Sequence, residues 1–198
     1  MVQVRQLVLA STSPYRRQLL ARLGLAFECE APAIDETPRP GESPSQTASR
    51  LAEIKARAVI TRHPDALIVG SDQVAALGAH RLGKPGTHDH AVRQLRAASG
   101  KTVEFHTAVC VLDARTGRSR GRVVPCRVAF RALGAREIEA YLLREQPYDC
   151  AGSAKSEGLG IALIERIETN DPTSLVGLPL IALTGLLAES GLPVLASA

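Results

Sequence analysis

Hydrophobic positions change period several times along the chain, and each change marks an element. Val2 to Ala10 alternates and then runs apolar, which predicts a strand, and it leads into Ser11-Thr12-Ser13-Pro14. Hydroxyls and a proline suit the start of a helix, here from Tyr15 to Leu23, with Leu19, Leu20 and Leu23 on one face and Gly24 as the stop. Phe27 to Ala31 reads as a short strand and is followed by a proline-rich loop from Pro32 to Pro44. Ala48, Leu51, Ala52, Ala56 and Val59 then form the stripe of a helix over 45–61 that carries Lys55.

Ala66 to Gln73 is a continuous apolar strand that ends on Asp72 and Gln73, as expected for a strand covered on both faces. Gly83-Lys84-Pro85-Gly86 is a tight loop, and His90 to Ser99 is a helix closed by Gly100. Thr102 to Asp113 and Arg122 to Arg131 form two longer strands joined by a turn at 115–117, which predicts an antiparallel pair and a mixed sheet. A helix over 136–145, a strand over 160–167 and a helix over 178–190 complete the pattern. No repeat or linker interrupts it, so one folding unit over residues 1–198 is expected.

The apolar stretches are too short or too interrupted to span a bilayer, and the first ten residues lack the plan of a secretion signal. These features predict a soluble, cytoplasmic protein. Four cysteines, Cys29, Cys110, Cys126 and Cys150, are widely spaced without a C-x-x-C pair, which argues against a zinc cage or disulfide framework and for reduced, mostly buried thiols. The net charge of +4 is not gathered into a basic run, and six aromatics offer little base stacking. A local anion site fits this better than a nucleic-acid track. Only four of the 24 basic residues are lysines, Lys55, Lys84, Lys101 and Lys155.

Two hydroxyls and two guanidiniums, Arg16 and Arg17, meet at the first predicted helix N-terminus, a ready anion site or an ordinary Ser cap followed by solvated arginines. Asp72 sits where ligands gather in open α/β sheets, beyond the carboxyl end of a buried strand. A plain cap could have been a serine, without the cost of bringing a carboxylate near the core. Asp35-Glu36 in the loop could join Asp72 in holding a divalent ion, because magnesium usually takes one or two carboxylates and completes its shell with phosphate oxygens and water. Adjacent loop acids are more often simply solvated. Lys55, Lys84 and Lys155 could offset polyphosphate charge. His106, inside a strand, reads as a core or edge residue, and there is neither a Walker loop nor a nucleophile triad.

In order along the chain stand Leu9-Ala10-Ser11-Thr12-Ser13-Pro14-Tyr15-Arg16-Arg17, Asp35-Glu36, Lys55, Gly70-Ser71-Asp72-Gln73, Gly83-Lys84-Pro85, Cys150-Ala151-Gly152-Ser153 and Gly177-Leu178-Pro179-Leu180. This ordered set resembles the Maf (septum formation) family of nucleotide pyrophosphatases, end to end. The resemblance implies a mixed, twisted α/β sheet flanked by helices, with two lobes around a central cleft. It also implies release of pyrophosphate from nucleoside triphosphates, aided by magnesium or manganese. It makes Asp72 the catalytic proton acceptor, Ser13, Arg16, Lys55 and Lys84 the substrate-binding residues, and Glu36 with Asp72 the metal ligands.

Within the family, Tyr15, Gln73 and Glu157 are similar to the branch acting on 7-methyl-GTP, although Tyr15 stands where that branch often carries Trp. The dTTP/UTP branch typically has Arg, Thr and Gln at these three places. Gln73 can be assigned to either base or sugar. The alternatives are a dTTP/UTP pyrophosphatase and a non-catalytic, nucleotide-binding regulator of cell division. The expected partner is the nucleotide, without nucleic acid or membrane, and a homodimer is left open.

Overall fold

The computed structural model describes residues 5–195, so Val2 to Val4 of the first expected strand lie outside the described residues. Seven strands form one mixed sheet: β1 (Leu7–Ala10), β2 (Glu28–Glu30), β3 (Leu67–Leu77), β4 (His80–Leu82), β5 (Thr102–Asp113), β6 (Ser119–Phe130) and β7 (Ile164–Thr169). The order is β2-β1-β3-β5-β6-β7, with β4 bonded to β3 off this path. β1 pairs in parallel with β2 and β3, placing Leu9 opposite both Cys29 and Val69. β3–β4 and β6–β7 are antiparallel. Flanking helices are α1 (Pro14–Ala21), α2 (Pro44–Arg57), α3 (His88–Ala98), α4 (Ala135–Glu145) and α5 (Leu180–Glu189). The expected mixed sheet flanked by helices is therefore the fold observed.

Contacts cluster in two compact units, each discontinuous in sequence. The first comprises Met1–Asp72, Thr107–Val124 and Asp171–Ala198, the second Gln73–His106 and Pro125–Asn170. In the first unit, alternation along β1 and β3 sends Leu7, Leu9, Leu67 and Val69 into a core with α1 and α5, where Leu19, Leu20, Leu178, Leu183, Leu186 and Leu187 are buried. Val8, Ala10 and Ile68 turn to the other face, against Ala56 and Val59 at the end of α2. Burial on both faces explains why these strands read as unbroken apolar runs. In the second unit, α3 lies against α4, and His88 of α3 meets Glu139 of α4 at 3.1 Å.

Four expectations are corrected. β3 does not end at Gln73: it runs on to Leu77 because Ala75–Leu77 pair with β4, a short strand the pattern did not predict. Asp72 therefore lies within a strand rather than at its end. The expected strand over 160–167 begins as a 3-10 turn, Leu159–Leu163, and becomes extended only from Ile164. A Cβ on Gly160 would stand 2.5 Å from the Lys155 carbonyl oxygen, so the chain there is coiled back on itself. Helices α1 and α3 begin earlier than expected, at Pro14 and His88, because Ser13 and Thr87 cap them. Among the described residues, no helix is long and apolar enough to cross a membrane.

Candidate active site

Gly70 decides how the site is built. An added Cβ would stand 2.0 Å from the Ala52 carbonyl oxygen and 2.9 Å from the Ala56 amide nitrogen, so α2 crosses β3 backbone to backbone. Two residues along, on the same face of the strand, Asp72 receives a hydrogen bond from Lys55 Nζ of α2 at 2.6 Å. Both side chains are buried, Lys55 at 6% and Asp72 at 8% exposure. The same ammonium lies 2.8 Å from Glu36 Oε1, an exposed carboxylate of the proline-rich loop. Arg50 of α2 holds that loop by pairing with Glu42 through both Nε and Nη2 and by donating from Nη2 to the Thr37 carbonyl.

Burial pushes the Asp72 carboxyl above the ordinary aspartate range. The charge and hydrogen bond of Lys55 and the charge of Arg16 pull the other way, and the charge of Glu36 adds to the rise. A carboxylate that is buried, cationically paired and raised in pKa is suited to accept a proton. Burial likewise lowers the Arg16 guanidinium, opposed by the charges of Asp72 and Glu36, and it remains cationic at neutral pH.

Arg16 is aimed by its backbone. Ser13 Oγ accepts from the Arg16 amide at 3.4 Å as the cap of α1, and Ser11 Oγ accepts from the Ser13 amide at 3.1 Å. Arg16 Nε donates to the Gly177 carbonyl at 2.8 Å, and Ser71 Oγ, buried beside Asp72, reaches the same oxygen at 2.9 Å and that of Ala108 at 2.7 Å. Gly177 has φ +117°, a backbone that side chains rarely adopt. Thus Ser13, Arg16, Glu36, Lys55 and Asp72, all expected from the sequence, come together in the first unit. Tyr15 is half-buried in the first turn of α1, whereas Arg17 is exposed.

The other expected residues belong to the second unit. Gln73 follows Asp72 in β3 and is half-buried; Lys84 is exposed in its loop. That loop is tied down because the Gly83 carbonyl accepts from Gln94 Nε2 at 3.0 Å and from the Gly152 amide at 3.4 Å. Glu157 is exposed, with Ser156 Oγ 3.4 Å from its Oε2. Lys155 pairs with Glu145 at 2.9 Å.

Two residues had no role assigned from the sequence: Ser153, quoted only within the motif Cys150-Ala151-Gly152-Ser153, and Asp171. Ser153 is fully buried, has φ 58° and donates to Gln94 Oε1 at 2.6 Å; the preceding Gly152 is the only hint of unusual backbone there. Asp171, 2% exposed, accepts from the Ile181 and Ala182 amides and from Thr173 Oγ1, while Thr173 Oγ1 accepts from the Leu180 amide, so the two residues cap α5. Its signal was Asp-Pro-Thr, a proline turn before a helix. Of the cysteines only Cys110 and Cys126 are buried, and burial pushes their thiols up to about 12 and about 11; Cys29 is exposed.

Glu36 and Asp72 converge on one cation, the Lys55 ammonium, so their oxygens can share a positive charge. Among the described residues, no group of three or more His, Cys, Asp or Glu could hold a metal alone. A divalent ion here would complete its shell with phosphate oxygens and water, the habit of magnesium.

A family model described as Maf-like protein matches residues 6–190. The chain belongs to the Maf family. Among curated proteins, the 7-methyl-GTP pyrophosphatase of Cupriavidus pinatubonensis is 59% identical over 97% of this chain and 96% of its own. Proteins of the same name from Thiobacillus denitrificans and Nitrosococcus oceani are also 59% identical, over 96% of this chain and 94% and 95% of theirs. Among solved structures, a HAM1 protein from Coxiella burnetii aligns with 64% of this chain and 73% of its own at 14% identity and a TM-score of 0.46, too remote to bear on the site.

Proposed function

We propose that this Maf-family chain is a cytoplasmic pyrophosphatase that hydrolyses 7-methyl-GTP to 7-methyl-GMP and pyrophosphate. The observation that carries the chemistry is the buried Asp72 bonded to Lys55 at 2.6 Å, with its carboxyl raised by burial. Relatives at 59% identity over almost their whole length bear that substrate in their names, which supports the base.

Water attacks the α-phosphorus, its proton passes to an oxygen of Asp72, and the bond from the α-phosphorus to the bridging oxygen breaks as pyrophosphate leaves. Lys55, Arg16 and Lys84 offset the negative charge of phosphate oxygens and leaving group. Glu36 and Asp72 would hold magnesium or manganese, which when bound supplies Lewis-acid polarisation and charge neutralisation. Tyr15, Gln73 and Glu157 select the base. Methylation at N7 makes the purine cationic, which an aromatic face attracts by about 0.5–2 kcal/mol. An ionised Glu157 accepts from the guanine N1–H and exocyclic amine together, where a pyrimidine offers a single ring N–H flanked by carbonyls.

The test is pyrophosphate release from 7-methyl-GTP, GTP, dTTP and UTP with added divalent ion, in wild type and in a Tyr15→Arg, Gln73→Thr, Glu157→Gln triple variant. The wild type is expected to prefer 7-methyl-GTP over GTP, and the triple variant to lose that preference and gain on pyrimidines. Equal wild-type rates on GTP and 7-methyl-GTP would remove the cation–π argument. A preference for UTP would move the chain to the pyrimidine branch, and binding without turnover would make it a nucleotide sensor.

A further inference from the structure

Glu145 is the last residue of α4, where an acid opposes the helix dipole and is locally unfavourable. Its side chain is nonetheless only 14% exposed and fully engaged. Oε1 lies 2.9 Å from Lys155 Nζ, and Oε2 accepts from the Leu159 amide at 2.6 Å. A Cβ on Gly158 would stand 2.7 Å from Oε2, so the 154–160 segment lies directly on this carboxylate. One turn earlier in α4, the buried Tyr141 accepts from the Lys155 amide through its hydroxyl at 3.0 Å. α4 thus grips the chain on both sides of Glu157, at 155 and at 159.

The grip also settles a competition. Lys155 is two residues from Glu157, whose charge acts on it more weakly than Glu145 does: the hydrogen bond that Lys155 donates to Glu145 holds the ammonium above and the Glu145 carboxyl below their ordinary values. Were Lys155 not bound to Glu145, its flexible stem could fold onto Glu157 and neutralise the exposed carboxylate.

We propose that Glu145 is a positioning residue for base selection: it fixes the 154–160 segment and engages Lys155, so that the Glu157 carboxylate stays available to a guanine edge. This rests on the reading that Glu157 meets the base.

The experiment compares kcat/KM for 7-methyl-GTP and UTP in wild type, Glu145→Gln, Glu157→Gln, the double variant and Tyr141→Phe, with thermal melts to show that each is folded. Glu145→Gln is expected to cut the 7-methyl-GTP/UTP ratio about tenfold, the loss of one charge-assisted contact. The double variant is expected to lose no more than Glu157→Gln alone, since both changes act on one carboxylate. Tyr141→Phe keeps the ring but removes the acceptor for the Lys155 amide, and should cut the ratio about threefold; it decides the matter if Glu145→Gln does not fold. A purely structural role would lower both substrates alike, and an unchanged ratio in the folded variants overturns the proposal. Losses that multiply in the double variant overturn it too. If Glu157→Gln itself leaves the ratio unchanged, the base-reading role of Glu157 fails and this inference with it; if Glu157→Gln lowers the ratio and Glu145→Gln does not, only this inference fails.

Discussion

Gly70→Ala tests how tightly the chemistry depends on one missing side chain. The new Cβ would stand 2.0 Å from the Ala52 carbonyl oxygen, 2.9 Å from the Ala56 nitrogen and 3.1 Å from the Ala52 carbonyl carbon. All three atoms are backbone, so no rotamer change can relieve the overlap. Helix α2 must retreat from β3 by about 1 Å before the closest contact is tolerable. Overpacking of this kind typically costs about 1–3 kcal/mol, and each kcal/mol is roughly 2–4 °C of Tm in a chain of this size. Lys55 leaves with the helix, so the 2.6 Å bond to Asp72 is stretched or lost. A misplacement of this size can cost about 10²-fold in rate. Thermal melts and steady-state kinetics on 7-methyl-GTP should therefore show a Tm lower by about 5 °C and kcat lower by about two orders of magnitude. Gly185→Ala is the control. Gly185 lies in α5, an added Cβ there meets nothing within 4 Å, and alanine favours a helix by about 0.5–1 kcal/mol. A folded Gly70→Ala protein with wild-type kcat and Tm would refute the view that this crossing sets the Lys55–Asp72 geometry.

Asp72→Asn, folded, should lose about 10²–10⁴ in kcat, and near-wild-type turnover would remove Asp72 as the base. The carboxyl must be ionised to accept a proton and burial raises it, so wild-type kcat/KM should fall on the acid side at a pH above the ordinary 3.8; an acid limb at or below that value would contradict the assignment. Excess chelator should abolish turnover and added magnesium or manganese restore it, whereas full activity in chelator rejects the metal. Asp113, bonded to Arg5 at 2.6 Å, is held down to about 2, so its stabilising contribution is fully present above 3.8 and lost as the pH falls through about 2. Asp113→Asn should accordingly cost about 1–2 kcal/mol at pH 7, and the Tm gap should close towards pH 2; a gap independent of pH would show that the charge is not what matters.

The first unit was largely legible because its signals are local. β1 and β3 are apolar on both faces and so announce burial, and Ser13-Pro14 announces a cap. Lys55 was different: nothing in its helix distinguishes it from a surface lysine, and only the ordered motifs marked it before the structure placed its Nζ against Asp72. The sequence misled where tertiary pairing overrides local pattern. Asp72-Gln73 looks like a strand end because polar residues follow apolar ones, yet pairing with β4 carries the strand on to Leu77. Leu159 to Leu163 has strand-like composition, but Glu145, fourteen residues before Leu159, holds it in a turn. Ser71 carried no assigned role in the sequence, yet it bonds carbonyls that lie far along the chain, at Ala108 and Gly177. Contacts across such distances leave no trace in a window of neighbouring residues.

The sharing of the Gly177 oxygen by Ser71 and Arg16 also bears on how the protein is made. β1 leaves the ribosome well before residue 177 does, but Leu9 shares its buried core with Leu178 and Leu183, and Arg16 finds its acceptor only at Gly177. Synthesis proceeds at about 5–20 residues per second, so the first strand and helix wait many seconds for the segment that completes their core. Throughout that interval the most apolar strands of the chain lack their cover, and the carboxylate that is to accept the proton lacks its frame. Nascent chains stalled before Gly177 should be chaperone clients, without a protected β1 and without activity.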